Sequence, residues 1–334
     1  MKKITVCLVC LILTLTALTS CSAGRPIKGT KQQLTVVGSV AGHEVLYEEL
    51  LCVTQLYRSQ LESKYGKGIW DDPTTAAEHR AELEELVNRN ITANYAVLSL
   101  CDEVAIRTDN ETIQAAVEKY VDDLVETLGG RSEYKAALAE QGLTDHFLRF
   151  TVAVDYCQNE LYYVYTQDLG LIETDEEKIY DYIMDGNFVR TIHVFVGNDE
   201  GDDPAANLSL AQKAHDQIVS GTDIKTLIGS SVNEDFNLTT TDGYYFTRGE
   251  MVPQYEEAAF SLKVGEVSDV VETAAGYYVI QRLELEPQYV LTHLTELIQQ
   301  YQYAELNAYI DERQGEIKIE YNDYGASLDL TEIN

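Results

Sequence analysis

The stretch that most restricts the fold runs from Asp242 to Glu284. Asp242-Gly243 reads as a turn, and Tyr244 to Thr247 as a short aromatic strand. Pro253 sits where a helix can start, because the missing N–H costs nothing in a first turn. Tyr255, Ala258, Ala259 and Leu262 then recur at helical spacing. Lys263-Val264-Gly265-Glu266 breaks that helix. Val267 to Thr273 reads as a strand, Ala274-Ala275-Gly276 as a turn, and Tyr277 to Leu283 as a buried strand. Within about forty residues the chain must make strand, helix and hairpin.

The details of this stretch resemble a known family. Phe246, Arg248-Gly249-Glu250-Met251, Glu256-Glu257-Ala258-Ala259-Phe260, Gly265-Glu266-Val267-Ser268 and Gly276-Tyr277-Tyr278-Val279-Ile280 follow, in order and spacing, the second half of a parvulin-type peptidyl-prolyl isomerase domain. Upstream, Arg190-Thr191-Ile192-His193-Val194-Phe195-Val196 is similar to that family's opening strand. The likeness covers about a third of the chain. It implies a small antiparallel sheet flanked by helices over residues 187–286. It also implies an activity that needs no metal and no cofactor.

The chemistry explains why those residue types would suffice. Rotation about an X–Pro bond faces a barrier of about 18–20 kcal/mol, because the imide has partial double-bond character. The two isomers differ by only about 0.5–1 kcal/mol. Catalysis then means a dry seat for the proline ring and groups that favour the twisted imide. By period two, His193 shares a strand face with Thr191 and Phe195, while Ile192, Val194 and Val196 look the other way. The resemblance implies that His193 belongs to a hydrogen-bonded cluster beneath the site. It matches Met251 and Tyr255 to the family's proline-pocket Met and Phe, and Phe246 to a further pocket aromatic. Three departures stand out. Tyr278 replaces the family's second His; a phenol still donates a hydrogen bond but does not titrate near neutrality. Thr240 to Tyr244 replaces a Gly-Gly-Asp-Leu-Gly turn. The Cys or Asp that faces the imide must come from Val232-Asn233-Glu234-Asp235, and Asp235 is the choice. His193, Asp235 and Tyr278 are thus the candidate catalytic residues, and Met251, Tyr255 and Phe246 the candidate substrate-binding ones.

The rest of the chain frames this domain. Lys2-Lys3 followed by the apolar run Ile4 to Leu18 reads as a targeting segment, 1–21, too short for a comfortable membrane span. Leu18-Thr19-Ser20-Cys21 resembles a bacterial lipobox, which implies cleavage before Cys21 and a lipid anchor on its sulfur at the extracytoplasmic face of the membrane. Residues 22–33 read as a flexible tether. Two short strands about Ala41-Gly42 precede helices over 48–65, 75–104, 109–128, 132–140 and 144–167. Thr174-Asp175-Glu176-Glu177 reads as a capping box with Thr174 as N-cap. Tyr289 to Arg313 reads as one long helix and Glu316 to Tyr321 as a strand.

This order is similar to secreted foldases of the PrsA and SurA type. It implies an α+β chain: a helical chaperone domain over 34–186, completed by 287–334, with the isomerase inserted between the two parts. The expected partners are unfolded secreted polypeptides and, through the anchor, the membrane; a homodimer is left open. A net charge of −32 in 334 residues argues against binding a nucleic-acid backbone. Four acidic residues among Asp199 to Asp203 disfavour a phosphoserine substrate. Cys52, Cys101 and Cys157 lie far apart on apolar helical patterns and read as small buried hydrophobes. Two other readings remain: a holdase without catalysis, favoured by Tyr278, and a lipid-anchored solute-binding protein, which would need two α/β lobes and a cleft.

Overall fold

The computed structural model describes residues 34–198, 203–238 and 240–333. The targeting segment with Cys21, the tether, and Asp199, Glu200 and Asp202 of the acidic loop lie outside those residues. The chain divides into two compact units. One comprises residues up to Val164 together with Tyr309–Asn334, and the other Tyr165–Ala308.

The first unit begins with β1 (Val36–Val40) and β2 (His43–Leu46), joined through Ala41 and Gly42 in left-handed conformation. β1 pairs antiparallel with β2 on one edge and with β7 (Glu320–Tyr321) on the other, so residues from both ends of the chain share one sheet. Gly38 permits the second pairing: a Cβ there would stand 2.7 Å from the Glu320 carbonyl oxygen. Five helices follow: α1 (Tyr47–Tyr65), α2 (Ala76–Glu103), α3 (Glu111–Leu128), α4 (Arg131–Glu140) and α5 (Asp145–Tyr163). α2 packs on α1 and α5, and α5 also on α3. Leu50, Leu83, Val87, Ile91, Leu148 and Leu161 fill the space between them and are essentially buried. Cys52, Cys101 and Cys157 are free thiols in this core.

Two carboxylates enter the same core. Glu49 is 5% exposed. Its Oε1 accepts the Leu46 N–H at 2.8 Å, and its Oε2 lies 2.9 Å from the Tyr95 hydroxyl. Burial pushes its carboxyl from the ordinary 4.5 up to about 7. The adjacent Glu48 accepts the Thr144 hydroxyl and contacts the His146 ring.

The second unit holds α6 (Glu176–Tyr182) and a four-stranded antiparallel sheet. Its strands are β3 (Val189–Gly197), β4 (Tyr244–Phe246), β5 (Val271–Thr273) and β6 (Gly276–Leu283), in the order β4-β3-β6-β5. α7 (Pro204–Val219), α8 (Lys225–Ile228) and α9 (Pro253–Ser261) flank it. On one face Ile192, Val194 and Val279 pack with Ala214 and Ile218 of α7 and with Ile224 and Leu238. On the other, Val189, Phe246 and Ile280 pack with Tyr255 and Ala259 of α9. The period-two reading of β3 is what the strand does, but both faces are covered, so that Arg190, Thr191 and His193 are buried along with its apolar residues.

Several boundaries differ from the sequence reading. The N-cap of α6 is Asp175, not Thr174; its carboxylate accepts the N–H groups of Glu177 and Lys178. α7 starts at Pro204, with Asp203 as N-cap. Val267 to Thr273 is strand only from Val271, because Ser268 takes both backbone polar groups of Ile280 with its own N–H and hydroxyl. The long last helix breaks at His293 into α10 (Pro287–Thr292) and α11 (Leu294–Glu316). The architecture is α+β and mainly helical. Both sheets are antiparallel, so neither unit is the α/β lobe of a solute-binding protein.

Candidate active site

The centre of the site is the imidazole of His193, 4% exposed on β3, an inner strand of the sheet. The strands on either side bring aromatic rings to it. β4 puts Tyr244 opposite Thr191, and β6 puts Tyr278 opposite Phe195. Tyr244 stacks on His193 at 5.5 Å between centroids and 11° between planes, while Tyr278 meets the imidazole edge-on at 5.1 Å. From α9, Tyr255 closes the third side, also edge-on at 5.5 Å.

Hydrogen bonds fix the ring. Nδ1 lies 2.9 Å from the Tyr255 hydroxyl, which lies 2.8 Å from Thr191 Oγ1. Nε2 lies 3.1 Å from Asp235 Oδ2, which also accepts the Tyr244 hydroxyl at 2.7 Å. Asp235 Oδ1 accepts the Asn237 N–H. The bond to His193 leads, and those from Tyr244 and Asn237 add to it; together they outweigh desolvation and hold the Asp235 carboxyl well below the usual carboxylate range. Asp235 is therefore ionised at neutral pH and only accepts, so Nε2 carries a proton. In the neutral imidazole Nδ1 then accepts from Tyr255, and the Tyr255 oxygen from Thr191. The row runs one way: Thr191 to Tyr255 to His193 to Asp235. Burial pushes the phenols of Tyr255 and Tyr244 up, which keeps both as O–H donors.

The loop carrying Asp235 is itself tied down. Asn233 accepts the Phe195 N–H and donates to the Ile228 carbonyl, and the Glu234 N–H donates to the Phe195 carbonyl. The left-handed Gly243 (φ +73°) lets the following turn pass close: a Cβ there would sit 2.2 Å from the Thr191 carbonyl oxygen.

The structure brings His193, Asp235, Tyr278 and Tyr255 into contact. Met251 and Tyr278 pack half-buried against the cluster of Tyr255, Phe246 and Ile280. Phe246 is 1% exposed and lies against Tyr255, itself 3% exposed, with 5.9 Å between ring centroids. Thr191 and Tyr244 were not among the candidates. Thr191 was placed on the same strand face as His193, but nothing named its partner. Tyr244 was read as the start of a short strand and as part of an altered turn, whereas its hydroxyl helps to fix Asp235. Among the described residues the Tyr278 hydroxyl makes no hydrogen bond. None of these groups is an activated nucleophile, since the hydroxyl beside the imidazole belongs to a tyrosine 3% exposed. The arrangement suits a reaction in which no bond breaks.

That is the class of site shared with the rotamases. The family described as Rotamase, the PPIC-type PPIASE domain, matches residues 193–284. The peptidyl-prolyl cis-trans isomerase ESS1 of Saccharomyces cerevisiae is 30% identical over 133 residues, covering 33% of this chain and 74% of that protein. The foldase protein PrsA of Clostridium perfringens is 23% identical over 261 residues, covering 74% of this chain and 72% of that one. A solved PrsA structure from Streptococcus pneumoniae aligns over 92% of this chain at 16% identity, with a TM-score of 0.33, too low to add to the fold description. The chain belongs to the parvulin-type peptidyl-prolyl isomerases. It is a cis-trans isomerase of X–Pro bonds with the relatives of a foldase, and the reading as a holdase without catalysis is not favoured.

Proposed function

We propose that the chain isomerises X–Pro bonds of unfolded secreted polypeptides outside the cytoplasm, held to the membrane by a lipid on Cys21. The isomerase domain, 187–286, is an insertion in a chaperone domain made of 34–186 and 287–334. His193, Asp235 and Tyr278 act around the imide, while Met251 and Tyr255 seat the proline ring, with Phe246 behind them. The observation that carries this reading is the row of hydrogen bonds from Thr191 through Tyr255 and His193 to an ionised Asp235. In the planar imide, resonance moves nitrogen electron density onto the carbonyl oxygen; twisting returns it to nitrogen. A carboxylate near that oxygen disfavours the planar state, and a donor aimed at the nitrogen favours the twisted one. Tyr278 has the free hydroxyl for the second task.

The test is a protease-free proline isomerisation assay on an unphosphorylated peptide. Wild type is expected to be active, and His193→Ala to lose about tenfold to a hundredfold in kcat/KM, about 1.4–2.7 kcal/mol of barrier lowering. Equal rates for both would end the assignment of His193. Tyr278→Phe is the finer probe. It should lower kcat by about threefold to tenfold, under 1.5 kcal/mol, with little change in Tm because the hydroxyl makes no hydrogen bond among the described residues. An unchanged kcat would remove Tyr278 from the catalytic set.

A further inference from the structure

Phe236 is 86% exposed, the most exposed of the large hydrophobic side chains among the described residues. Single exposed hydrophobics are ordinary on protein surfaces. This one differs in where it stands and how firmly it is presented. Asp235 before it is held by His193, Tyr244 and the Asn237 N–H, and Leu238 beyond it is buried at 5%. An apolar ring is thus kept in water by backbone pinned on both sides.

Its position follows from covalent geometry. Phe236 Cα is one peptide, about 3.8 Å, from that of Asp235. In an X–Pro bond the carbonyl carbon belongs to X, so the Cα of X is only about 1.5 Å from the reacting carbon. Whatever carboxylate faces the imide therefore has the side chain of X within reach of its own chain neighbour. The imidazole divides the site in two. Tyr255 and α9 lie on its Nδ1 side, while Asp235 and Tyr244 lie on its Nε2 side. With the proline ring on the first side, X falls on the second, next to Phe236. The loop bonds there to the backbone of Phe195, whose half-buried ring stacks on Tyr278 at 4.5 Å. The charge on this side is negative: Asp235 is ionised, Glu234 lies beside it, and no Lys or Arg side chain bonds to residues 233–238 among the described residues.

We propose that Phe236 sets the enzyme's choice of the residue preceding proline, favouring aromatic and large aliphatic side chains and rejecting acidic ones. The inference rests on the reading that His193 and Asp235 face the imide. Its test is kcat/KM for four peptides that differ only in X: Phe, Leu, Ala and Glu. Wild type is expected to prefer Phe over Ala by about tenfold, the scale of a modest apolar contact, and to turn over Glu least. Phe236→Ala should bring the Phe-to-Ala ratio to about one to threefold, and Phe236→Leu should retain a preference for Leu over Ala. Thermal unfolding of both variants checks that they fold. A ratio untouched in Phe236→Ala, or an equal loss on all four peptides, would overturn the proposal. His193→Ala separates the two ideas. If it lowers all four rates while Phe236→Ala spares the ratio, only the specificity assignment falls; if it lowers none, both fall.

Discussion

Asp235→Asn is expected to reduce kcat/KM about a hundredfold, close to 2.7 kcal/mol, in a protein that still folds. The substitution keeps the size of the side chain and, with its amide oxygen left on the Asn237 N–H, puts its NH2 where Oδ2 takes both His193 Nε2 and the Tyr244 hydroxyl, so that this hydroxyl has to accept instead. It removes the negative charge and turns an N–H donor toward Nε2. The imidazole then has to accept there and donate from Nδ1, so the row from Thr191 reverses. Two things are lost together: the charge against the imide carbonyl and the direction of the bonds beneath it. Nitrogen-15 NMR of the ring reads the tautomer, independently of rate. A variant with full activity would show that Asp235 does not face the imide. The pH behaviour carries a sign. The folded carboxyl titrates below its unfolded value of about 3.9. Its contribution to stability is thus complete above that value and is lost as pH falls through the folded one. Activity that depends on its charge should be level from about pH 5 upward, since the group stays ionised there.

Glu49→Gln should have the opposite pH signature, far from the site. Here the folded carboxyl titrates near 7, above its ordinary 4.5. The folded state binds the proton more tightly than the unfolded chain. The stability linked to that proton is present below pH 4.5 and is lost as pH rises through 7. A difference of that size amounts to roughly 3 kcal/mol at pH 8. Glutamine is neutral throughout. Its oxygen can still accept the Leu46 N–H and its amide can donate to the Tyr95 oxygen, while the Tyr95 hydroxyl turns to the Glu44 carbonyl, 2.9 Å away. The variant should therefore melt several degrees above wild type at pH 8 and near it at pH 5. Parallel Tm curves from pH 5 to 8 would show that Glu49 is not a buried charge. Glu48, at 1% exposure, keeps its contacts to Thr144 and His146 in both proteins.

Periodicity made β3, β6 and α9 legible, because alternation and helical spacing report which side of an element is buried. Motif order made His193, Asp235, Met251 and Tyr255 legible. What escaped depends on partners distant in sequence. Tyr244 becomes part of the site only because β4 pairs with β3, and a register is not written in either strand alone. Asp175 displaced Thr174 as N-cap although both residues suit the position; the choice turns on which carboxylate or hydroxyl reaches the free N–H groups. The break at His293 left no Gly or Pro to announce it.

The pairing of β1 with β7 has a kinetic side. Val40 and Glu320 stand in one sheet with about 280 residues of chain between them. Closing so long a loop is entropically slow, though it costs little more than a loop half that length. While the chain emerges from its N-terminus, β1 has only the β2 hairpin for company and one bare edge. The four strands bearing His193 lie within residues 189–283 and need nothing from the termini for their pairing. Maturation can then proceed from the inside outward, the rotamase sheet closing first and the seam between head and tail last. An enzyme that speeds others through slow steps would itself finish on one of the slowest kinds.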